Sequence, residues 1–237
     1  MRLGVVWFVV ATGAFVVGVP AFAVLVGAIA AVAALQTSRA LRAPWRRPHP
    51  AVAAAFGAVL PLAALLGTAL TGLAVLVLTG AAVAVAGTQP SRGGPLADAG
   101  ATVRAGLFVG LAAAALVLLA RAEIGAAVTL VLLVSAYEVG DYIVGSGAAN
   151  VVEGPAAGFV SVGVATAWMA LVQPPPFEGG VVWVFGALVV LLAPVGQVLA
   201  SAILPRAGAP APALRRLDSY LVTAPVWLVA IWSGLSG

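Results

Sequence analysis

Two kinds of charged side chain in this sequence have the types and placement to bind a phosphate-bearing substrate. Four of the seven acidic residues lie beside the ends of long apolar segments in the C-terminal half, and three arginines lie in the same region. These residues are Glu138, Asp141, Glu153, Asp218, Arg206, Arg215 and Arg216. Carboxylate oxygens are hard ligands that suit Mg²⁺, and guanidinium groups pair with phosphate oxygens. Together they predict a site for a divalent cation and a phosphate-bearing substrate at a water interface.

The spacing of Glu138 and Asp141 places both carboxylates on one helical face if the helix continues that far, because residues i and i+3 are neighbours on a helix. Gly140 and Gly145 beside them would permit close approach of a ligand or of another helix. The alternative is that the two acids pair with arginines and hold the helices together. The remaining acids, Asp98, Glu123 and Glu178, are predicted to be solvated loop charges.

Other chemistries are not favoured by the sequence. It has one histidine, His49, and no cysteine, which excludes the usual zinc sites. All 11 basic residues are arginines, so the lysine of a phosphate-binding Walker loop is missing. Ser201 and Ser219 lack the sequence context of a serine hydrolase. Since the arginines are scattered between apolar segments, a nucleic-acid partner is not predicted.

The elements that carry these residues are predicted to be membrane helices. The chain has 237 residues, of which 63% are hydrophobic and 8% charged, whereas a soluble domain has about 25% charged residues. The lack of cysteine and of alternating polar and apolar residues argues against a disulfide-rich secreted fold and a membrane β-barrel. We therefore expect an all-α integral membrane protein, a bundle of about nine transmembrane helices.

Loops rich in Pro, Gly and charge divide the apolar segments. The nine predicted helices cover about 3–17, 20–36, 51–66, 69–87, 105–120, 124–140, 156–173, 180–200 and 219–235. Residues 1–104 would supply about four spans with arginine-rich loops, and residues 105–237 about five spans that carry the site. A cleaved signal peptide is the alternative interpretation of the first apolar segment, because Arg2 precedes it.

The arginines predict the orientation of the bundle. With nine spans and the N-terminus in the cytoplasm, every arginine except Arg121 falls on the cytoplasmic side. This distribution follows the positive-inside rule. The sequence therefore predicts a multi-pass protein of the cell inner (plasma) membrane with its site on the cytoplasmic face.

Three segments resemble the integral-membrane phosphatidate cytidylyltransferases, also called CDP-diacylglycerol synthases. Residues 138–145 (EVGDYIVG) are similar to that family's D-x-G-A-Y-x-x-G segment. Residues 150–158 (NVVEGPAAG) are similar to K-T-W-E-G-x-x-x-G, with matches at Glu153, Gly154 and Gly158. Residues 196–225 resemble the C-terminal signature, which closes D-R-x-D-S with a later A-P, and match it at Arg216, Asp218, Ser219, Ala224 and Pro225.

The resemblance implies transfer of CMP from CTP to phosphatidic acid in phospholipid synthesis, giving CDP-diacylglycerol and pyrophosphate, with Mg²⁺ required. It implies catalytic roles for Asp218, Arg216 and Glu153. Substrate binding would involve Arg206, Arg215, Ser219 and Asn150, which replaces a lysine. The metal ligands would be Glu138, Asp141 and Asp218.

Several of the family's groups have no counterpart in this chain. Its loop lysines, its K-D pair and its G-H-G-G turn are missing, and Gln197 stands where an Asp is usual. Two alternatives therefore stay open: a catalytically inactive relative that serves as a lipid-binding or scaffold protein, and a small membrane transporter. The expected partners are membrane phosphatidic acid and CTP, and a homodimer is among the oligomeric states left open.

Overall fold

The computed structural model describes residues 2–88, 91–147, 150, 152–206 and 208–234. Within these ranges the chain forms nine α-helices, one short 3₁₀ helix and no strand. The α-helices are α1 (Arg2–Val17), α2 (Val19–Leu41), α3 (Pro50–Ala64), α4 (Thr68–Thr88), α5 (Pro95–Ala122), α6 (Ile124–Gly145), α7 (Glu153–Val172), α8 (Val181–Ile203) and α9 (Tyr220–Trp232). The 3₁₀ helix, Leu214–Arg216, precedes α9. Residue 235, the predicted end of the last helix, lies outside the described residues.

Six of these helices are long and apolar enough to cross a membrane, namely α2, α4, α5, α6, α7 and α8. The apolar helices α3 and α9 have only 15 and 13 residues, whereas a span needs about 20. The structure thus supports an all-helical, multi-pass membrane protein. The count of nine spans and the cytoplasmic N-terminus stay predictions.

Helix α5 is longer than the sequence pattern predicted. Residues 95–104 were expected to belong to a polar loop, but the helix begins at Pro95. Gly94, with φ 84°, precedes it, and proline is favoured in a first helical turn because its fixed φ is already helical. The helix also runs through position 104, the predicted boundary between the two groups of spans.

Asp98 is buried and not a solvated loop charge. Only 1% of its surface is exposed, and its Oδ1 accepts a hydrogen bond from the backbone N–H of Arg47. One turn further along α5, the Thr102 hydroxyl oxygen also binds the loop, because it accepts a hydrogen bond from the backbone N–H of His49 at 2.9 Å. These two bonds fix the loop between α2 and α3 against the start of α5, and the first of them gives the buried Asp98 carboxylate a hydrogen-bond partner.

The core is formed by helices that approach each other through small residues. Helices α2, α3 and α5 pack on one another, α6 packs on α7, and α9 packs on α5 and α8. At Gly57 a methyl group would overlap the backbone of Ala30 and Ala31, and at Gly110 it would lie 2.5 Å from the carbonyl oxygen of Phe56. Such close approaches are typical of helix pairs in membranes, where small residues let backbones meet.

Contacts of the arginines distinguish two ends of the bundle. Arg104, near the start of α5, donates hydrogen bonds to the carbonyl oxygens of Ala202 and Ile203 at the end of α8. At the other end of α5, Arg121 donates to the carbonyl oxygen of Ala64, the last residue of α3, at 3.1 Å. Arg42 and Arg206 line one pocket on the same side as Arg104. We call this the arginine-rich end; its assignment to the cytoplasm stays a prediction.

The close packing of α2 on α3 predicts that Gly57→Ala destabilises the protein, by about 1–3 kcal/mol as for other overpacked cores. The matched control is Gly72→Ala in α4, because a methyl group there meets nothing within 4 Å and alanine is the better helix former. Thermal unfolding in detergent, followed by the fluorescence of the 6 tryptophans, should show a lower midpoint for Gly57→Ala alone. Equal midpoints for the two variants would contradict the described packing.

Candidate functional site

Two carboxylates of α6 and a third that is distant in sequence lie close together near the arginine-rich end of the bundle. Glu138 and Asp141 lie on one face of the last turns of α6, as their spacing predicted. The charges of Asp218, Asp141 and Arg216 all act on Glu138. Asp218 lies in the turn before α9 and is buried, with 6% of its surface exposed. We call Glu138, Asp141 and Asp218 the acidic cluster.

Asp141 is held by helices α7 and α8. Its Oδ2 accepts a hydrogen bond from Nε2 of Gln197 on α8 at 3.2 Å. On its other side lies Gly154, in the first turn of α7, where a methyl group would overlap Oδ1 of Asp141. The place of this carboxylate thus depends on glycine at position 154 and on an amide donor at position 197.

Asp218 is held by its own turn and by an arginine. The backbone N–H of Ser219 donates to Oδ1 of Asp218 at 2.8 Å. The Arg215 guanidinium lies 3.7 Å from Oδ2 of Asp218 and donates to the Ser201 hydroxyl at 3.0 Å. Gly196 of α8 permits this arrangement, because a methyl group there would overlap the carbonyl oxygen of Asp218. The turn can therefore lie directly on α8.

Burial raises the pKa of the Asp218 carboxyl to about 6, although the Ser219 backbone N–H and Arg215 oppose the shift. Removal of a carboxylate from water favours its neutral form, while a hydrogen bond and a nearby guanidinium favour the charged form. Desolvation is the larger effect here, so the pKa of Asp218 lies above its ordinary value.

Glu138 has a free carboxylate oxygen inside the site. Its Oε1 is buried and has no hydrogen-bond partner among the described residues, while the nearby Ser219 hydroxyl donates to Oδ1 of Asp218 at 3.5 Å. The hydroxyl oxygen of the adjacent Tyr137 is also buried without a partner. Buried polar atoms without partners are uncommon in folded proteins, so this pair marks a place where a cation, a proton or a polar ligand group would be stabilised.

The predicted site residues fall into two sets. Arg215 and Ser219 contact the acidic cluster, and the charge of Arg216, which is exposed, acts on Glu138. The other three predicted residues lie at exposed positions: Glu153, Asn150 and Arg206.

The three residues of the second set, Glu153, Asn150 and Arg206, lie in three different local environments. Glu153 is the first residue of α7, and Asn150 uses its Oδ1 to accept a hydrogen bond from the backbone N–H of Val152. Arg206 lines a pocket with Arg42, Pro205 and Pro210. No contact of these residues with the acidic cluster is seen in the described ranges, and their roles stay predictions.

Two residues of α8 belong to the site and were not predicted as site residues. Gln197 had been noted only as a departure from the family pattern, and Ser201 only as an isolated serine. They are four residues apart, so they lie on the same helical face, and the Ser201 hydroxyl donates to the carbonyl oxygen of Gln197 at 3.0 Å. Polar side chains at this spacing in an apolar helix were the signal that could have identified them.

The acidic cluster does not form a metal cage by itself. Within the described ranges, no three Asp, Glu, His or Cys side chains are arranged to hold a metal ion. Asp141 is engaged by Gln197, and Asp218 by Ser219 and Arg215. Mg²⁺ often needs only one or two carboxylates together with substrate phosphates, and Glu138, with its unpartnered Oε1, fits that simpler arrangement.

Comparison with known proteins gives no relative that could assign this site. No protein-family model, no curated protein and no solved structure matches the chain.

The raised pKa of Asp218 predicts a pH-dependent stability. A carboxyl whose pKa is higher in the folded than in the unfolded state stabilises the fold at low pH, and this contribution is lost as the pH rises through the folded-state pKa. We expect the wild-type protein to lose thermal stability relative to Asp218→Asn between about pH 4 and pH 6, the interval between the ordinary pKa of 3.8 and the folded-state pKa of about 6, and to change little above it. Melting curves of both proteins across this range test it, and parallel pH profiles would contradict it.

Proposed function

We propose that the chain is a divergent phosphatidate cytidylyltransferase-like enzyme that transfers CMP from CTP to phosphatidic acid. The observation that carries the proposal is the convergence of Glu138, Asp141 and Asp218 beside Arg215, with one buried carboxylate oxygen unpartnered. Acidic and cationic groups at one membrane-proximal site suit two phosphate-bearing substrates. The proposed location is the cytoplasmic face of the plasma membrane.

In the proposed reaction, an oxygen of the phosphatidic acid phosphate attacks the α-phosphorus of CTP. The bond from this phosphorus to the oxygen that bridges to the β-phosphate breaks, and pyrophosphate leaves with the electron pair. Both reactants are anionic, so charge neutralisation and positioning must supply most of the catalysis. Mg²⁺, when bound, would supply part of that neutralisation.

The side chains of the site have distinct proposed tasks. Glu138 would offer its free Oε1 to the cation, and Asp218 and Asp141 would complete the negative environment. Arg216 is exposed and would bind a substrate phosphate, since a guanidinium pairs with phosphate through two parallel hydrogen bonds. Arg215 already contacts Ser201 and Asp218, so its task is to hold the turn that carries Asp218.

A second candidate function is lipid binding without catalysis. It is favoured by one observation, the lack of three metal-ligating side chains in a common arrangement within the described residues. In that case phosphatidic acid would bind at the arginines while no CTP was consumed. An assay for the products of CTP separates the two functions, because only the enzyme releases pyrophosphate.

Purified protein given labelled CTP, phosphatidic acid and Mg²⁺ should form CDP-diacylglycerol. We expect Asp218→Ala and Glu138→Gln to lower the rate by at least about 100-fold, since each removes a carboxylate from the surroundings of the cation that would neutralise the reacting phosphates. Glu178→Gln is the matched control, because Glu178 is exposed in the turn between α7 and α8, at the opposite end of the bundle. Its rate should equal that of the wild type.

Each result of this assay has a clear consequence. No product from well-folded wild-type protein, with phosphatidic acid still bound, would support lipid binding and reject the enzyme. Product formation that survives both Asp218→Ala and Glu138→Gln would reject the acidic cluster as the reaction site.

A change that displaces Asp141 without altering charge should also lower activity. In Gly154→Ala the new methyl group would overlap Oδ1 of Asp141, whereas in Gly163→Ala, on the same helix, it meets nothing within 4 Å. A displacement of about 1 Å in a catalytic site can cost about 100-fold in rate. We expect such a loss for Gly154→Ala with a folded protein, and no loss for Gly163→Ala. Equal rates would show that the position of Asp141 is unimportant.

A further inference from the structure

A second pocket, lined by small residues, a tryptophan and two arginines, lies at the arginine-rich end, between the α2–α3 loop and the start of α5. It has a volume of about 340 Å³ and is lined by Trp45, Arg46, Ala97, Gly100, Ala101 and Arg104. This volume is at the lower end of the range for small-molecule sites, about 300–1,000 Å³. None of the residues of the acidic cluster lines it. We call it the Arg46 pocket.

The floor of the Arg46 pocket is one face of α5. Ala97, Gly100, Ala101 and Arg104 follow the i, i+3, i+4, i+7 spacing of a single helical face. A methyl group added at Gly100 would meet nothing within 4 Å. Small residues thus leave space over this face, and the guanidinium of Arg104 lies at its edge.

The wall of the pocket is held rigidly by hydrogen bonds. Asp98 of α5 accepts a hydrogen bond from the backbone N–H of Arg47, and Thr102 accepts one from the backbone N–H of His49. Within the loop, Ala43 and Arg46 exchange backbone hydrogen bonds at 2.9 and 3.0 Å. Arg46 is therefore presented to α5 by a preformed loop, and a ligand would not have to order the chain on binding.

The lining residues carry two guanidinium groups and no carboxylate. The Nε of Arg46 is buried and has no hydrogen-bond partner among the described residues. Arg104 gives its Nε and one terminal nitrogen to the carbonyl oxygens of Ile203 and Ala202, and a guanidinium has five N–H donors, so others stay available. Asp98, the nearest acid in sequence, does not line the pocket; its Oδ1 is engaged by the Arg47 backbone, and its Oδ2 is buried without a partner among the described residues. The pocket thus has the donors that an anion requires.

The location of the pocket favours an anion attached to a lipid. Trp45, on its rim, is 60% exposed, and tryptophan is enriched where membrane meets water. The pocket lies at the ends of α2 and α5, two helices long and apolar enough to cross a membrane. A group bound between Arg46 and Arg104 would therefore lie at the depth of the lipid phosphates.

We propose that the Arg46 pocket binds the phosphate of an anionic membrane lipid, independently of the acidic cluster and of the reaction proposed for it. The guanidinium of Arg46 and the free donors of Arg104 bind the phosphate oxygens. Trp45 packs on the glycerol and upper acyl region beside them. Such a pocket would hold a lipid as part of the structure, without any chemical reaction of that lipid.

The test uses purified full-length protein in dodecylmaltoside micelles that contain phosphatidylglycerol, a phosphate diester that is not the substrate proposed above. Native mass spectrometry measures how much lipid is retained. The variants are Arg46→Gln, which removes the charge, and Gly100→Leu, which fills the pocket with the charge intact. Arg92→Gln is the matched control, because Arg92 is an exposed arginine of the neighbouring loop and does not line the pocket.

We expect Arg46→Gln and Gly100→Leu each to weaken phosphatidylglycerol binding by roughly tenfold, as for loss of a hydrogen bond to a charged group, and Arg92→Gln to have no effect. Equal weakening by Arg92→Gln and Arg46→Gln would overturn the proposal, since it would indicate unspecific attraction. Full binding by Gly100→Leu would overturn it as well.

Two further arms identify the source of the phosphate and separate this proposal from the enzyme. Glycerol 3-phosphate in solution should compete poorly, and competition as strong as that of the lipid would overturn the assignment to a lipid. Asp218→Asn should retain phosphatidylglycerol like the wild type, whether or not the protein makes CDP-diacylglycerol. Loss of retention in this variant would show that the lipid binds at the acidic cluster instead.

Discussion

The burial of carboxylates in an apolar bundle is the constraint on which the arrangement of the C-terminal helices depends. A charged group that leaves water must find hydrogen bonds or opposite charge, or else bind a proton. Asp141 obtains an amide from α8, and Asp218 obtains a backbone N–H and a guanidinium. These partners come from different parts of the chain, so satisfying the acids also fixes how α6, α8 and the turn before α9 meet.

The same requirement explains the distribution of glycine around the site. A hydrogen bond between short side chains of two helices forms only if the helix axes are close. At several contacts between helices, one added methyl group would overlap the neighbouring segment and prevent this close approach. Gly154 and Gly196 lie at two such contacts, against Asp141 and the carbonyl oxygen of Asp218. Glycine at these two positions therefore has two effects. It lets neighbouring segments pack closely, and it leaves room for Asp141 and for the turn that carries Asp218.

The sequence predicted the helices well, because apolar segments bounded by Pro, Gly and Arg are a local signal. It also predicted that Glu138 and Asp141 share a face, since that follows from helical periodicity alone. The sequence did not predict features that depend on an interaction between segments far apart in the chain. The early start of α5 and the burial of Asp98 depend on the loop at Arg47, 51 residues away. The role of Gln197 depends on a contact with Asp141, 56 residues away, which no periodicity reveals.

Helix α5 sets a fixed distance between the two ends of the bundle. Its two arginines are 121 − 104 = 17 residues apart, which at 1.5 Å per residue is about 26 Å, close to the hydrocarbon thickness of about 30 Å. Each donates to the last carbonyl oxygens of a neighbouring helix, Arg104 to α8 and Arg121 to α3. Those carbonyl groups have no partner within their own helices. Because charged groups resist entering lipid, the two arginines of α5 would place the ends of α3 and α8 at opposite boundaries of a membrane that α5 crosses.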